Sequence, residues 1–136
     1  MATIHIRDLC VGNWVRYGRD YQVKAIDAAW DKLTLIGNNE QREETVWSIS
    51  PIAISRKILE ENGWECDTMY ATKRIDEHIS LDYYFHEHRL RKWYHGVDEW
   101  NNHSNINEVT FQAHCWYVHQ LQNALRLAGV EVKINL

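Results

Sequence analysis

The stretch Cys115-Trp116-Tyr117-Val118-His119-Gln120-Leu121-Gln122-Asn123-Ala124-Leu125-Arg126-Leu127-Ala128-Gly129 decides how this chain must fold. Val118, Leu121, Leu125 and Ala128 stand at i, i+3, i+7 and i+10, which is one face of an α-helix. Tyr117 and Ala124 widen the stripe, and Arg126 suits the negative end of the helix dipole. A helix with such a stripe needs a cover, and an antiparallel sheet with one apolar face supplies it. The other face carries His119, Gln120, Gln122 and Asn123, a dense block of neutral donors and acceptors. Such a block is either the wall of a ligand site or an internal hydrogen-bonding device that locks the helix in place.

Working outward, the residues before the helix read as strands. Ile79, Leu81, Tyr83 and Phe85 alternate onto one face of a strand over residues 79–88. Leu90-Arg91-Lys92-Trp93-Tyr94-His95 forms another, expected to end in a turn at Gly96. Residues 64–70 alternate weakly, residues 97–100 suggest a short strand, and residues 101–105 are a loop signal. Val109-Thr110-Phe111 leads as a short strand into the helix, and Val130 to Ile134 alternates as a closing edge strand. Ser55 is a good N-cap for a short helix over residues 56–62, with Gly63 at the left-handed C-terminal position. Two turns are too short to be stable alone, so this helix reads as a hinge piece between two halves.

The first half has a different texture. Residues 13–17 alternate, Gly18-Arg19-Asp20 is a hairpin turn, and Tyr21, Val23 and Ala25 share a face of the next strand. Residues 33–36 and 45–49 read as further strands, with an exposed polar loop over residues 37–44 between them. Short strands with local turns suggest a small SH3-like barrel or roll. Pro51, the only proline, ends strand pairing because it has no N–H to donate. The expected class is therefore α+β. An SH3-like barrel over residues 1–52 precedes an α+β domain over residues 53–136, where a short helix and a C-terminal helix cover an antiparallel sheet.

Composition narrows the function classes. The formal net charge is -4, which argues against a duplex nucleic-acid binder, because phosphate contacts need a basic surface. Trp and Tyr number 7 each against 2 Phe, a bias towards rings with a polar handle that suits interfaces and pockets. Cys10, Cys66 and Cys115 make no CxxC pair, which reads as free thiols of a cytoplasmic protein and not as a disulfide or zinc framework. No apolar run approaches the ~20 residues of a membrane span.

Candidate chemistry is sparse. Arg89, Arg91, Lys92, Trp93, Tyr94 and His95 interleave cations and aromatics, a pattern that can stack bases and hold phosphates, though a solvated outer strand face is the plainer account. His86 and His88 would lie about 7 Å apart on one strand face, a metal pair only if His95 or His114 adds a third ligand. His114 and His119 are five apart and share no helix face, and Cys115 beside His114 points away from it. There is no P-loop, GxGxxG or GxSxG, and no carboxylate pair stands out.

Three blocks carry a resemblance. Cys10-Val11-Gly12-Asn13-Trp14-Val15, the joint from Ser50-Pro51-Ile52 to Ile58-Leu59-Glu60-Glu61-Asn62-Gly63-Trp64, and Tyr117-Val118-His119-Gln120-Leu121-Gln122-Asn123 are similar to blocks of uncharacterised small proteins encoded by phages and mobile elements of anaerobic gut bacteria. The last matches that family's C-terminal YVHxLQN block; Trp64 stands where Phe is commoner. The resemblance implies a two-part architecture and a mobile-element origin, and brings no assigned catalytic residue or cofactor. The expected function is a non-enzymatic accessory binding protein in the host-cell cytoplasm. It would sequester a small nucleotide-derived immune signal or bind a host protein, with a homodimer compatible with the aromatic surface. The alternatives are a nucleic-acid accessory protein and a metal-dependent hydrolase using His86 and His88. The expected ligand-binding residues are Arg89, Arg91, Trp93, Tyr94, His95, Trp100, His119, Gln120 and Asn123.

Overall fold

Alternation of apolar and polar residues builds two antiparallel sheets in a computed structural model that describes residues 3–97 and 105–136. The chain divides into two units. The first comprises Met1–Ile54, Trp116–Asn123 and Ile134–Leu136, and the second Ser55–Cys115 and Ala124–Lys133. The class is α+β, as the periodicities require.

The first unit holds strands β1 (Trp14–Tyr17), β2 (Arg19–Asp27), β3 (Lys32–Gly37) and β4 (Glu40–Thr45) in the sheet order β1-β2-β3-β4. Val15, Tyr21, Val23, Leu33 and Leu35 are buried with Ile4, Leu9, Val46 and Ile49 in one core. Burying each such aliphatic side chain is worth ~1.5–3 kcal/mol, so this cluster is what holds the sheet together. Three expectations change here. The β2–β3 register shifts between Val23 and Ala25, so the phase of β2 slips. Ala25 is therefore exposed and Ile26 packs against the core instead. The polar run after Gly37 is not a loop but strand β4, paired residue for residue with β3 from Lys32↔Thr45 to Gly37↔Glu40. Its charges suit an edge, where they discourage pairing with another chain. Arg42 on it bonds Glu44 at 3.0 Å and lies 4.8 Å from the Tyr17 ring centroid. Residues Val46–Ser48 then form a 3-10 turn where a strand was expected, with Val46 N–H donating to the Asp31 carbonyl. Only an isolated bridge, Arg16↔Ser50, follows. Among the described residues no strand returns beside β1, so the sheet stays open, and of the expected barrel or roll the closed barrel does not form.

The second unit opens with α1 (Arg56–Glu61), whose first turn is capped by Ser55 Oγ accepting from Ile58 N–H at 3.2 Å. It ends in a Schellman motif: Trp64 N–H donates to Leu59 O at 3.0 Å and Gly63 N–H to Glu60 O at 3.1 Å. Gly63 is required there, because its φ is +84°. The sheet order is β5 (Glu65–Cys66), β6 (Tyr70–Arg74), β7 (Ile79–Tyr84), β8 (Arg89–Val97) and β9 (Asn105–His114), all antiparallel. Ala71, Leu81, Tyr83 and Leu90 are buried on one face. Gly96 is no turn: β8 runs through it, pairing it with Ile106 of a β9 far longer than the three residues expected. Of the strand expected over residues 97–100 and the loop over 101–105, Val97 belongs to β8 and Asn105 to β9, and residues 98–104, Trp100 among them, lie outside the described residues.

The closing helix α2 spans Val118–Leu127. Its stripe is buried at Val118, Leu121, Ala124, Leu125 and Ala128, as the spacing demands. It starts three residues later than the quoted stretch, because Tyr117 is still extended and bridges Ala53. Cys115 precedes the helix, fully buried, and burial pushes its thiol up to about 12. Residues 130–134 form no strand; Ile134 is buried instead, and its carbonyl accepts from Trp14 Nε1 at 2.8 Å. No helix among the described residues is long and apolar enough to cross a membrane.

Candidate functional site

Gln120, Gln122 and Asn123 of the polar block of α2 bond within the first unit, while the buried Nδ1 of His119 has no partner among the described residues. Gln120 sits at the third helical position and reaches back, its Oε1 accepting from Trp116 N–H at 2.8 Å and Tyr117 N–H at 3.2 Å. That is one half of a capping box, which satisfies donors the helix start leaves open. Gln122 Oε1 accepts from Trp14 N–H at 2.8 Å while its Nε2 donates to Gly12 O at 3.0 Å. Asn123 Oδ1 accepts from Asn13 Nδ2 at 2.9 Å, and its own Nδ2 donates to Asp8 O at 3.0 Å. Asn13, fully buried, also accepts from Cys10 N–H at 2.8 Å. His119 is 3% exposed and stacks on Tyr117 with ring centroids 6.0 Å apart. Burial holds its imidazole below the usual value, a trend that the Asp8 carboxylate opposes.

The second unit places polar groups on the open face of its sheet. Pleating separates the Arg89 to His95 run into two sets. Leu90, Lys92 and Tyr94 share the side with buried Leu81 and Tyr83; Lys92 Nζ donates to Ala128 O at 2.8 Å and Tyr94 stacks on His78 at 5.9 Å. Arg89, Arg91, Trp93 and His95 project to the other side, opposite Tyr84, Asp82 and Ser80 of β7 in the register Tyr84↔Arg89, Asp82↔Arg91, Ser80↔Trp93. There the Arg91 guanidinium lies 4.5 Å from the Tyr84 ring centroid and 3.4 Å from Glu87 Oε2. Trp93 Nε1 donates to Asp82 Oδ2 at 2.7 Å, and the Trp93 and His95 rings are near-parallel, centroids 6.4 Å apart. His95 Nε2 meets Ser80 Oγ at 2.7 Å and its Nδ1 meets Asn107 Oδ1 at 2.6 Å. A carboxamide oxygen only accepts, so the ring proton sits on Nδ1 and the Ser80 hydroxyl donates to Nε2 when the ring is neutral.

Asp82 is the unusual member. It is 9% exposed, its Oδ1 has no partner among the described residues, and burial raises its pKa against the lowering effects of Trp93 and Arg91. A buried carboxylate oxygen without a donor costs of the order of 1–3 kcal/mol, so groups like this concentrate where a site needs them.

The structure thus gathers Arg89, Arg91, Trp93 and His95 on one surface, turns Tyr94 away, and places His119, Gln120 and Asn123 in the other unit. Sequence reasoning overlooked Ser80, Asp82 and Tyr84. The signal was present, because alternation that turns Ile79, Leu81 and Tyr83 inward turns these three outward.

The His86 and His88 pair does not lie on a strand. Residues 85–88 form the β7–β8 turn, with His88 at φ +52°, so the two-rise geometry expected of the pair is absent. No group of three His, Cys, Asp or Glu side chains placed to hold a metal ion occurs among the described residues. Comparison with protein-family models, curated proteins and solved structures finds no match.

Proposed function

We propose that this is a binding protein whose outward face of β7 and β8 takes a small nucleotide-like ligand. The observation that carries the reading is the alignment of a ring-stacked guanidinium, a fixed indole and a twice-bonded imidazole along one pleat row. Flat groups held by neighbours lose little freedom on binding, so each stacking contact counts nearly in full. Base–aromatic stacking contributes ~1–3 kcal/mol per base, and Arg91 adds a cation beside it. The net charge of -4 favours a small molecule over a long polyanion. The similarity of the Tyr117 to Asn123 block to small phage and mobile-element proteins supports a biological setting: sequestration of a nucleotide-derived immune signal in the host cytoplasm. The meander order of the first sheet supports kinship with SH3-like rolls.

The test is calorimetric titration of the whole protein with nucleoside monophosphates, ADP-ribose and cyclic dinucleotides, with an oligothymidylate arm. Binding that falls at least tenfold in Arg91→Ala, with unchanged melting temperature, is expected. Silence across the small-molecule panel would sink the reading, and tight binding of the oligonucleotide alone would replace it with a nucleic-acid role.

A further inference from the structure

Beside the stacking row, where β5 stops after two residues, lies a cavity of about 480 Å³, within the size range of small-ligand pockets. We infer that this cavity holds the phosphate end of the ligand; the inference rests on the β7–β8 face being the binding surface. Beyond Glu65↔Thr72 no strand pairs the outer edge of β6, so Lys73 and Arg74 extend past the sheet's cover and line the opening. Among the described residues both cations bond backbone carbonyls alone: Lys73 Nζ donates to Asn62 O at 3.4 Å and Arg74 Nη2 to Glu77 O at 3.3 Å. Neither has a carboxylate within ion-pair distance among the described residues. Such long bonds to neutral acceptors leave the two charges available to an anion, and Arg with Lys is a fitting donor pair for phosphate oxygens.

Hydroxyls complete the lining. Thr72 and Ser80 both contribute, and Ser80 carries the hydrogen bond to His95. Gly63 leaves room for the ammonium: a Cβ there would come 3.1 Å from Lys73 Nζ. Glu65 is the one carboxylate on the lining and opposes an anion. Because Ser80 is the cross-strand partner of Trp93, the cavity adjoins the indole. A ring on Trp93 and a phosphate near Ser80 are then one ribose apart, which points to a nucleoside mono- or diphosphate as the ligand class.

The experiment compares the four common nucleosides with their 5′-monophosphates and with inorganic pyrophosphate, by calorimetry on the whole protein. At least one monophosphate should bind tenfold or more tighter than its nucleoside. Arg74→Gln and Lys73→Met should remove that advantage while leaving nucleoside affinity and melting temperature unchanged, and pyrophosphate alone should raise the melting temperature of the parent but not of the Arg74→Gln protein. Equal affinity for nucleoside and nucleotide, with loss of both in Arg91→Ala, would overturn the phosphate cavity and leave the stacking face standing. No binding of any nucleoside or nucleotide would remove both.

Discussion

On α2, Gln122 gives both ends of its amide to backbone partners, Trp14 N–H and Gly12 O, and Asn123 joins the side-chain amide of Asn13 to the Asp8 carbonyl. On β7, Asp82 holds one indole N–H and leaves its other oxygen without a partner among the described residues. The two regions look alike in sequence, each a dense patch of polar and aromatic side chains next to an apolar stripe. They differ in what their polar atoms face. Gln122 and Asn123 tie the helix to groups about 110 residues away in the chain, so they stabilise the fold. The sheet residues bond other side chains, so they remain able to exchange those partners for a ligand. Polar density alone therefore does not distinguish scaffold from site; the identity of the bonded partner does.

That contrast can be broken by mutation. The largest effect is expected from Asn13→Ala, which strips bonds from both Cys10 N–H and Asn123 in a fully buried position. Urea denaturation should show a loss of about 2–3 kcal/mol, with no change in nucleotide affinity once folded. Arg91→Ala should do the reverse: affinity falls tenfold or more while stability changes by less than about 1 kcal/mol, since its pair with Glu87 is partly exposed. If Asn13→Ala abolished binding in a folded protein, or Arg91→Ala unfolded it, the division into scaffold and site would be wrong.

Asp82→Asn should stabilise by about 1 kcal/mol at neutral pH, because it removes a buried charge and keeps an oxygen for Trp93. The sign follows from the raised carboxyl. The folded state holds the proton more tightly than the unfolded chain, whose value lies near 3.8, so stability falls as pH rises above that value through the raised native one. The Asn variant should lack that fall, and the two proteins should converge at more acidic pH; a gap that persists there would assign the gain to packing. The smallest effect concerns His119. Its native value lies below the usual 6.5, so the folded state binds fewer protons and stability drains as pH falls below 6.5. A His119→Gln protein should lose this limb in pH-dependent melting curves. Asp67 and Asp76, held low by backbone N–H donors, act only below their ordinary 3.8 and so leave the His119 window clear.

Much of the fold was legible in particular residues. Ser55 and Gly63 bracket α1 by side-chain chemistry that works locally, and the Val118 to Ala128 stripe needs nothing but helical spacing. The misread places are those where a local rule met a distant partner. Glu40 to Thr45 looks like a loop because its side chains are charged, yet its backbone has β3 to pair with. Ala25 left its expected face because a bulge changed the phase of β2. Gly96 and residues 130–134 carried turn and strand signals that pairing overrode or failed to supply. In the candidate site, the Arg89, Arg91, Trp93 and His95 row was readable from period two. The same period turns Ser80 and Asp82 to the face opposite Leu81 and Tyr83, but which members of the row they meet follows only from the register of β7 against β8.

By itself, the amino-acid order determined the class, the helix caps and the apolar faces, because capping, left-handed glycine and hydrophobic period depend on residues within about one turn or one pleat of each other. Tertiary structure alone decided that the first sheet stays open and that Gln122 and Asn123 serve the first unit. It alone set Asp82 beneath Trp93 as well. Each of these depends on which group or strand comes to lie opposite, over separations of 11 to 115 residues. The cost of an unpaired buried polar group is settled only when that partner arrives.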